Sequence, residues 1–227
     1  MKKDAVRIQT SILSKMEKKV LVRIAKKLPQ WVTSDQLTWL GLFGAFISCG
    51  GYFLSNWGVE FLWLSSFGFL VNWFGDSLDG TLARVRNAQR PIYGFYIDHN
   101  IDGLTVLIIC IGAGASPFIS FSTAMLILAG YYLLSIFTYI NTYLKGEFKI
   151  SYSALGPTEF RLIIILINTL FIFLPTENPP IIIMGITLKF FDIFAIGIAL
   201  VLFILYFFNF FTEMKKYKKI DPPHSHS

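Results

Sequence analysis

The chain has 227 residues, of which 54% are hydrophobic and only 15% charged. A water-soluble domain of this size needs more polar surface, so the composition excludes an ordinary soluble fold and points to the membrane class. The net charge of +6 could suit nucleic acid, but in a membrane protein it faces anionic lipid headgroups.

The first 36 residues are polar and basic, without the early apolar core of a cleavable signal peptide. Within them Ile12, Met16, Val20, Ile24 and Leu28 recur every four residues, with lysines between. That stripe predicts an amphipathic helix over residues 5–29, lying on the membrane surface with its apolar side down. A helix packed on the protein would carry the same stripe. Pro29 ends it, and Thr33 and Gln36 have capping-box spacing for the next helix. Six apolar runs follow, at residues 37–56, 61–81, 95–115, 119–144, 160–175 and 191–212. A span needs about 20 apolar residues, so each predicts a transmembrane helix. Pro180–Leu188 is apolar but too short to cross, and is read as re-entrant or interfacial. Residues 213–227 form a cytoplasmic tail, whose end from Asp221 reads as disordered. Cys49 and Cys110 lie inside apolar runs and form no spacing for a disulfide framework or a metal site. With no repeat and no linker, residues 1–227 are one domain: an all-α integral membrane protein, with six transmembrane helices over 37–212 and an N-terminal surface helix.

Lysine and arginine orient the spans. Nine precede the first run, Arg84, Arg86 and Arg90 follow the second, and Lys145, Lys149 and Arg161 follow the fourth. Lys215, Lys216, Lys218 and Lys219 lie in the tail, while the opposite loops hold Lys189 alone. Nineteen of 20 basic residues therefore fall on one side, which predicts a multi-pass protein with both termini in the cytoplasm.

Four aspartates lie at or inside the cytoplasmic ends of the second and third runs. Asp76 and Asp79 are three apart and Asp98 and Asp102 four apart, so each pair shares a helix face. Facing helices would gather four carboxylates, and a divalent cation would relieve their repulsion. Hard oxygen ligands suit magnesium, manganese or calcium rather than zinc. His99 points elsewhere on its helix and reads as a structural hydrogen-bonding residue. Gly80, Ala83 and Gly94 remove bulk where a ligand would approach, and Arg84 offers a bidentate charge for phosphate oxygens. Arg86 and Arg90 read as interfacial charge.

The pattern Asp76-x2-Asp79-Gly80-x2-Ala83-Arg84-x9-Gly94-x3-Asp98-x3-Asp102 resembles the signature of the CDP-alcohol phosphotransferase family, at all eight marked positions. The resemblance implies six membrane helices preceded by a surface helix. It implies that Asp76, Asp79 and Asp98 hold metal, with Asp102 a ligand or beside them. Magnesium or manganese, as two ions, would be the cofactor. Asp79, Gly80, Ala83, Arg84 and Gly94 would line the CDP site. Asp102 would be the general base, taking a proton from an alcohol that attacks the β-phosphorus of a CDP-linked donor and releases CMP. The partners implied are that donor, an alcohol acceptor and membrane lipids, in phospholipid biosynthesis. Dimerisation is common in the family, but the sequence displays no dimer face.

Glu159 and Arg161, in the stretch GPTEFR, are candidates for the acceptor site. Its first four residues, GPTE, and Asp98–His99 look like the choline and ethanolamine phosphotransferase branch, whereas other members use CDP-diacylglycerol as donor. Two further readings compete. Intramembrane aspartates can mark the path of a divalent-cation transporter, but here no acidic ladder continues across. A structural bundle tolerating interfacial aspartates leaves the glycine, alanine and arginine spacing unexplained.

Overall fold

The computed structural model describes residues 6–8, 14–145, 147–149, 156–173, 181–183, 186–189 and 191–222. Among these residues are seven α-helices: α1 (Ser14–Lys27), α2 (Ser34–Leu54), α3 (Leu62–Val85), α4 (Pro91–Gly114), α5 (Phe121–Lys145), α6 (Pro157–Phe173) and α7 (Asp192–Ile220). Each of the six apolar runs has become a helix. Four of them, α2, α4, α5 and α7, are long and apolar enough to cross a membrane. α6 has 17 residues, and α3 is diluted by Asn72, Asp76, Ser77 and Asp79.

Extended backbone among the described residues amounts to two small pairings. β1 (Val6–Ile8) runs parallel to β2 (Glu147–Lys149), and β3 (Ile181–Ile183) pairs antiparallel with β4 (Ile186–Leu188). The first corrects the expected helix over 5–29: its first part is a strand, and α1 begins at Ser14. The second turns the short apolar stretch before α7 into a hairpin; Pro180 itself lies outside the described residues. α7 continues through Glu213 to Ile220, so the expected tail is helical over that part. Residues 223–227 lie outside the described residues.

The apolar stripe of α1 divides. Ile24 and Leu28 pack with Leu21, Ala25, Leu78 and Leu82, joining α1 to α3, while Met16 and Val20 remain exposed. Ile12 lies outside the described residues. Arg86 locks the turn after α1 by donating to the carbonyls of Leu28, Pro29, Gln30 and Val32. Its expected role as loose interfacial charge gives way to that of a capping residue. Thr33 caps α2 with the expected reciprocal bonds to Gln36.

α2 is the platform of the bundle, packed against both α3 and α4. Its contact with α3 is made by small residues. A Cβ on Gly44 would stand 2.8 Å from the Cα of Asn72, on Gly51 2.7 Å from that of Ser65, and on Gly75 2.7 Å from that of Gly41. Gly112 on α4 meets Cys49 of α2 as closely. Such backbone approach suits helices in lipid, where apolar surface alone gives no drive to associate. Polar groups add to it: Asn72 donates to the Gly41 carbonyl, and Tyr52, Asn168 and Ser66 form a buried chain between α2, α6 and α3. Both cysteines are free.

The helix ends are fixed by polar contacts. Asp35 of α2 pairs with Arg90 at the start of α4, and Asn56 beyond α2 donates to the Ala115 carbonyl beyond α4. Those two helices run the same way. Lys145 pairs with Glu213 where α5 and α7 finish, and Asp192 accepts bonds from Ser120 where they begin. Those two are parallel as well.

Candidate active site

The reversal between α3 and α4 builds the site. α3 ends with Asn87 at φ 53°, the Ala88 amide bonded to the Ala83 carbonyl and the Asn87 amide to that of Arg84. This left-handed stop uses asparagine, which tolerates that conformation. Pro91 then opens α4 at its first position, where its missing N–H costs nothing. At 1.5 Å per residue, Asp76 stands about 14 Å before the end of α3, with Asp98 and Asp102 about 10 Å and 16 Å into α4. The tight turn therefore brings Asp76 level with the gap between the other two.

The carboxylates of Asp76, Asp98 and Asp102 offer oxygens that all lie within 4.8 Å of one another. All three residues are half-buried. Arg161 of α6 meets this group, its Nη2 donating to Asp76 Oδ2 at 2.6 Å. Three carboxylates against one guanidinium leave excess negative charge in a confined place, and every candidate donor is a hard oxygen. That set fits a divalent cation of the magnesium and manganese type. The Nη1 of Arg161 is buried and has no hydrogen-bond partner in the structure, so the guanidinium retains capacity for another anionic oxygen.

The fourth expected ligand, Asp79, is placed differently. It is buried, its Oδ2 accepts from Thr38 Oγ1 at 2.6 Å, its Oδ1 accepts from the Gly80 amide, and its backbone carbonyl accepts from Ser34. It faces α2 and stands outside the group of three. Gly80 lies beneath Arg84, whose Nη1 would be 3.3 Å from an added Cβ. Arg84 is exposed and donates to Thr81 Oγ1 at 3.1 Å. Ala83 is half-buried beside it. A Cβ on Gly94 would meet nothing within 4 Å, so protein packing gives no reason for a glycine there.

The two acceptor candidates separate. Arg161 reaches the carboxylates, whereas Glu159 is buried and accepts from the Gly156 amide, closing the first turn of α6. His99 bonds the Phe95 carbonyl and stacks on the Phe95 ring, as expected of a structural histidine. Arg90 pairs with Asp35 and covers the Tyr93 ring, so it is more than loose charge.

Sequence reasoning missed Glu17. Its Oε1 accepts from Trp73 Nε1, Ser77 Oγ and Thr158 Oγ1, next to the residues that carry Asp76 and Arg161. A signal existed. Glu17, Leu21 and Ala25 are four apart, one residue out of step with the stripe that was read, and Glu17 is the only acid in α1.

No curated protein matches the chain. A family model does, over residues 28–205, which contain every aspartate of the cluster and Arg161. That match extends over most of the molecule and agrees with the membrane helices and with the carboxylate cluster. The chain therefore belongs to the CDP-alcohol phosphatidyltransferase family, whose members transfer phosphate-linked groups from CDP-alcohols.

Proposed function

We propose that this protein is a phospholipid-synthesis enzyme of the membrane, transferring a substituted phosphate from a CDP-linked donor to an alcohol with release of CMP. The observation that carries the reading is the meeting of Asp76, Asp98 and Asp102 inside the family-matched region. These three residues would hold Mg2+ or Mn2+, as two ions with Asp79 completing the set. Bound there, the metal would neutralise the pyrophosphate and the departing phosphate.

The chain's own residues supply the rest. Arg84 grips phosphate oxygens through its fork of donors, and Gly80, Ala83 and Gly94 leave room for the CDP moiety. Asp102 takes the proton of the alcohol hydroxyl. The oxygen so freed bonds to the β-phosphorus, the bond from that phosphorus to the bridging oxygen breaks, and CMP leaves with the electron pair. Arg161, with its unpartnered Nη1, faces the acceptor, with Glu159 ordering the start of α6. The likeness of GPTE and of Asp98–His99 to the choline and ethanolamine branch favours a CDP-linked headgroup as donor over CDP-diacylglycerol.

The same reading sets six spans, α2 to α7, with α1 on the cytoplasmic surface and both termini in the cytoplasm. The lysine and arginine alternation supports it, as do the shared directions of α2 with α4 and of α5 with α7. A C-terminal tag should be digested by protease only when the cytoplasmic face is open; digestion from outside intact cells refutes that orientation.

The direct test is a panel of CDP donors against a panel of alcohols, read by CMP release with and without chelator. Release should require Mg2+ or Mn2+ and select one pair. No release with any pair, or release at full rate under chelation, overturns the proposal.

A further inference from the structure

Glu17 occupies the place where α1, α3 and α6 meet. One carboxylate oxygen, Oε1, accepts three hydrogen bonds: from Thr158 Oγ1 at 2.7 Å, from Trp73 Nε1 at 2.8 Å and from Ser77 Oγ at 3.2 Å. Their placement is specific. Trp73 lies three residues before Asp76 on α3, and Ser77 directly follows it. Thr158 lies three residues before Arg161 on α6. The helices that meet through the Asp76–Arg161 ion pair are thus joined a second time, one turn away, through a side chain of α1. Docking of α1 also has an apolar contact of its own in Leu21, Ala25, Ile24 and Leu28.

We propose that Glu17 is a positioning residue: by tying Trp73 and Ser77 of α3 to Thr158 of α6 it fixes the spacing of those helices, and so the alignment of Asp76 with Arg161. The proposal rests on the reading of Asp76 as a metal ligand and Arg161 as an acceptor-site residue. Glu17 touches neither metal nor substrate. It acts through the two helices.

The test uses the full-length chain in lipid nanodiscs and three variants. Glu17→Ala removes the acceptor. Glu17→Gln keeps a carbonyl oxygen for the three donors. Thr158→Val cuts only the link to α6 and leaves α1 bonded to Trp73 and Ser77, so it serves even where Glu17→Ala fails to fold. The first readout needs no metal and no substrate: the distance distribution between spin labels on unnatural amino acids placed at Leu70 of α3 and Leu166 of α6, both exposed. The second is Mn2+ affinity, and the third is the split between kcat and KM for the acceptor. Glu17→Ala and Thr158→Val should broaden the distances and weaken Mn2+ binding about tenfold, the lower end of what supporting residues around a metal contribute. They should raise KM for the acceptor more than they lower kcat, and Glu17→Gln should restore all three. Unchanged distances and Mn2+ affinity, with only a lower unfolding temperature, overturn the proposal and leave Glu17 a docking contact. If the parent chain releases CMP from no donor while the distances still respond, the functional reading fails and the positioning role stands.

Discussion

Replacing Gly75 by alanine tests whether the small-residue contact between α2 and α3 sets the site. The new Cβ would lie 2.3 Å from the Gly41 amide nitrogen, 2.4 Å from the Leu37 carbonyl oxygen and 2.7 Å from the Gly41 Cα, and ordinary contact begins at 3.4 Å. The obstacle is backbone, which cannot rotate away, so the helices must part by about 1 Å. Overpacking of this kind costs about 3 kcal/mol at its upper range, and the better helix propensity of alanine returns about 1. The net loss is about 2 kcal/mol. At Gly50, one residue from the tightly packed Gly51, an added Cβ would meet nothing within 4 Å, so Gly50→Ala gains about 1 kcal/mol from propensity alone. The two variants should differ by about 3 kcal/mol, or roughly 6–12 °C in unfolding temperature for a chain of this size. Gly75 also adjoins Asp76. A misplacement of about 1 Å can cost 100-fold in rate, so kcat/KM should fall roughly tenfold to 100-fold in Gly75→Ala and stay unchanged in Gly50→Ala. The assay is thermal unfolding in one detergent, paired with CMP release at limiting and saturating donor. If Gly75→Ala matched Gly50→Ala in both, the close backbone contact would not be what holds the carboxylates in register.

Asp102→Asn should lower turnover about 100- to 10,000-fold while keeping more donor affinity than Asp76→Asn; calorimetry beside CMP release checks this, and equal loss of affinity with retained turnover makes Asp102 a ligand only. Arg161→Met removes the guanidinium that meets Asp76, so the metal-free protein should lose about 3 kcal/mol and Mg2+ should raise its unfolding temperature more than it raises that of the parent; an equal metal-induced shift refutes the charge argument. Asp192→Ala removes the acceptor for the Ser120 and Lys189 amides and the Ser120 hydroxyl, which should cost about 1–3 kcal/mol in thermal unfolding with CMP release per folded molecule unchanged; a loss of turnover in the folded fraction would show that this end of the bundle reaches the site.

What could be read in the sequence was what depends on near neighbours. The capping box at Thr33 and Gln36 lies within one turn, and the spacings of Asp76 with Asp79 and of Asp98 with Asp102 follow from helical periodicity. The cluster itself was legible because both pairs sit close to one short turn. The bond from Thr38 to Asp79 could not be read because Thr38 is 41 residues away on α2, and periodicity says nothing about which neighbour a helix face will meet. Glu17 was missed for a related reason: its donors come from Trp73, Ser77 and Thr158, two of them inside an apolar run where they look like filler. The division of the α1 stripe, with Met16 and Val20 left exposed, depends on where α3 lies.

The pairing of Asp76 with Arg161 also bears on how the protein is made. The two residues are separated by 85 positions, so the ribosome delivers the aspartates of α3 and α4 well before the arginine that meets them. During that interval Asp76 lacks its Arg161 partner, a costly arrangement for a partly built bundle. Chains that stop short of α6 should therefore be cleared by proteases rather than accumulate as stable fragments.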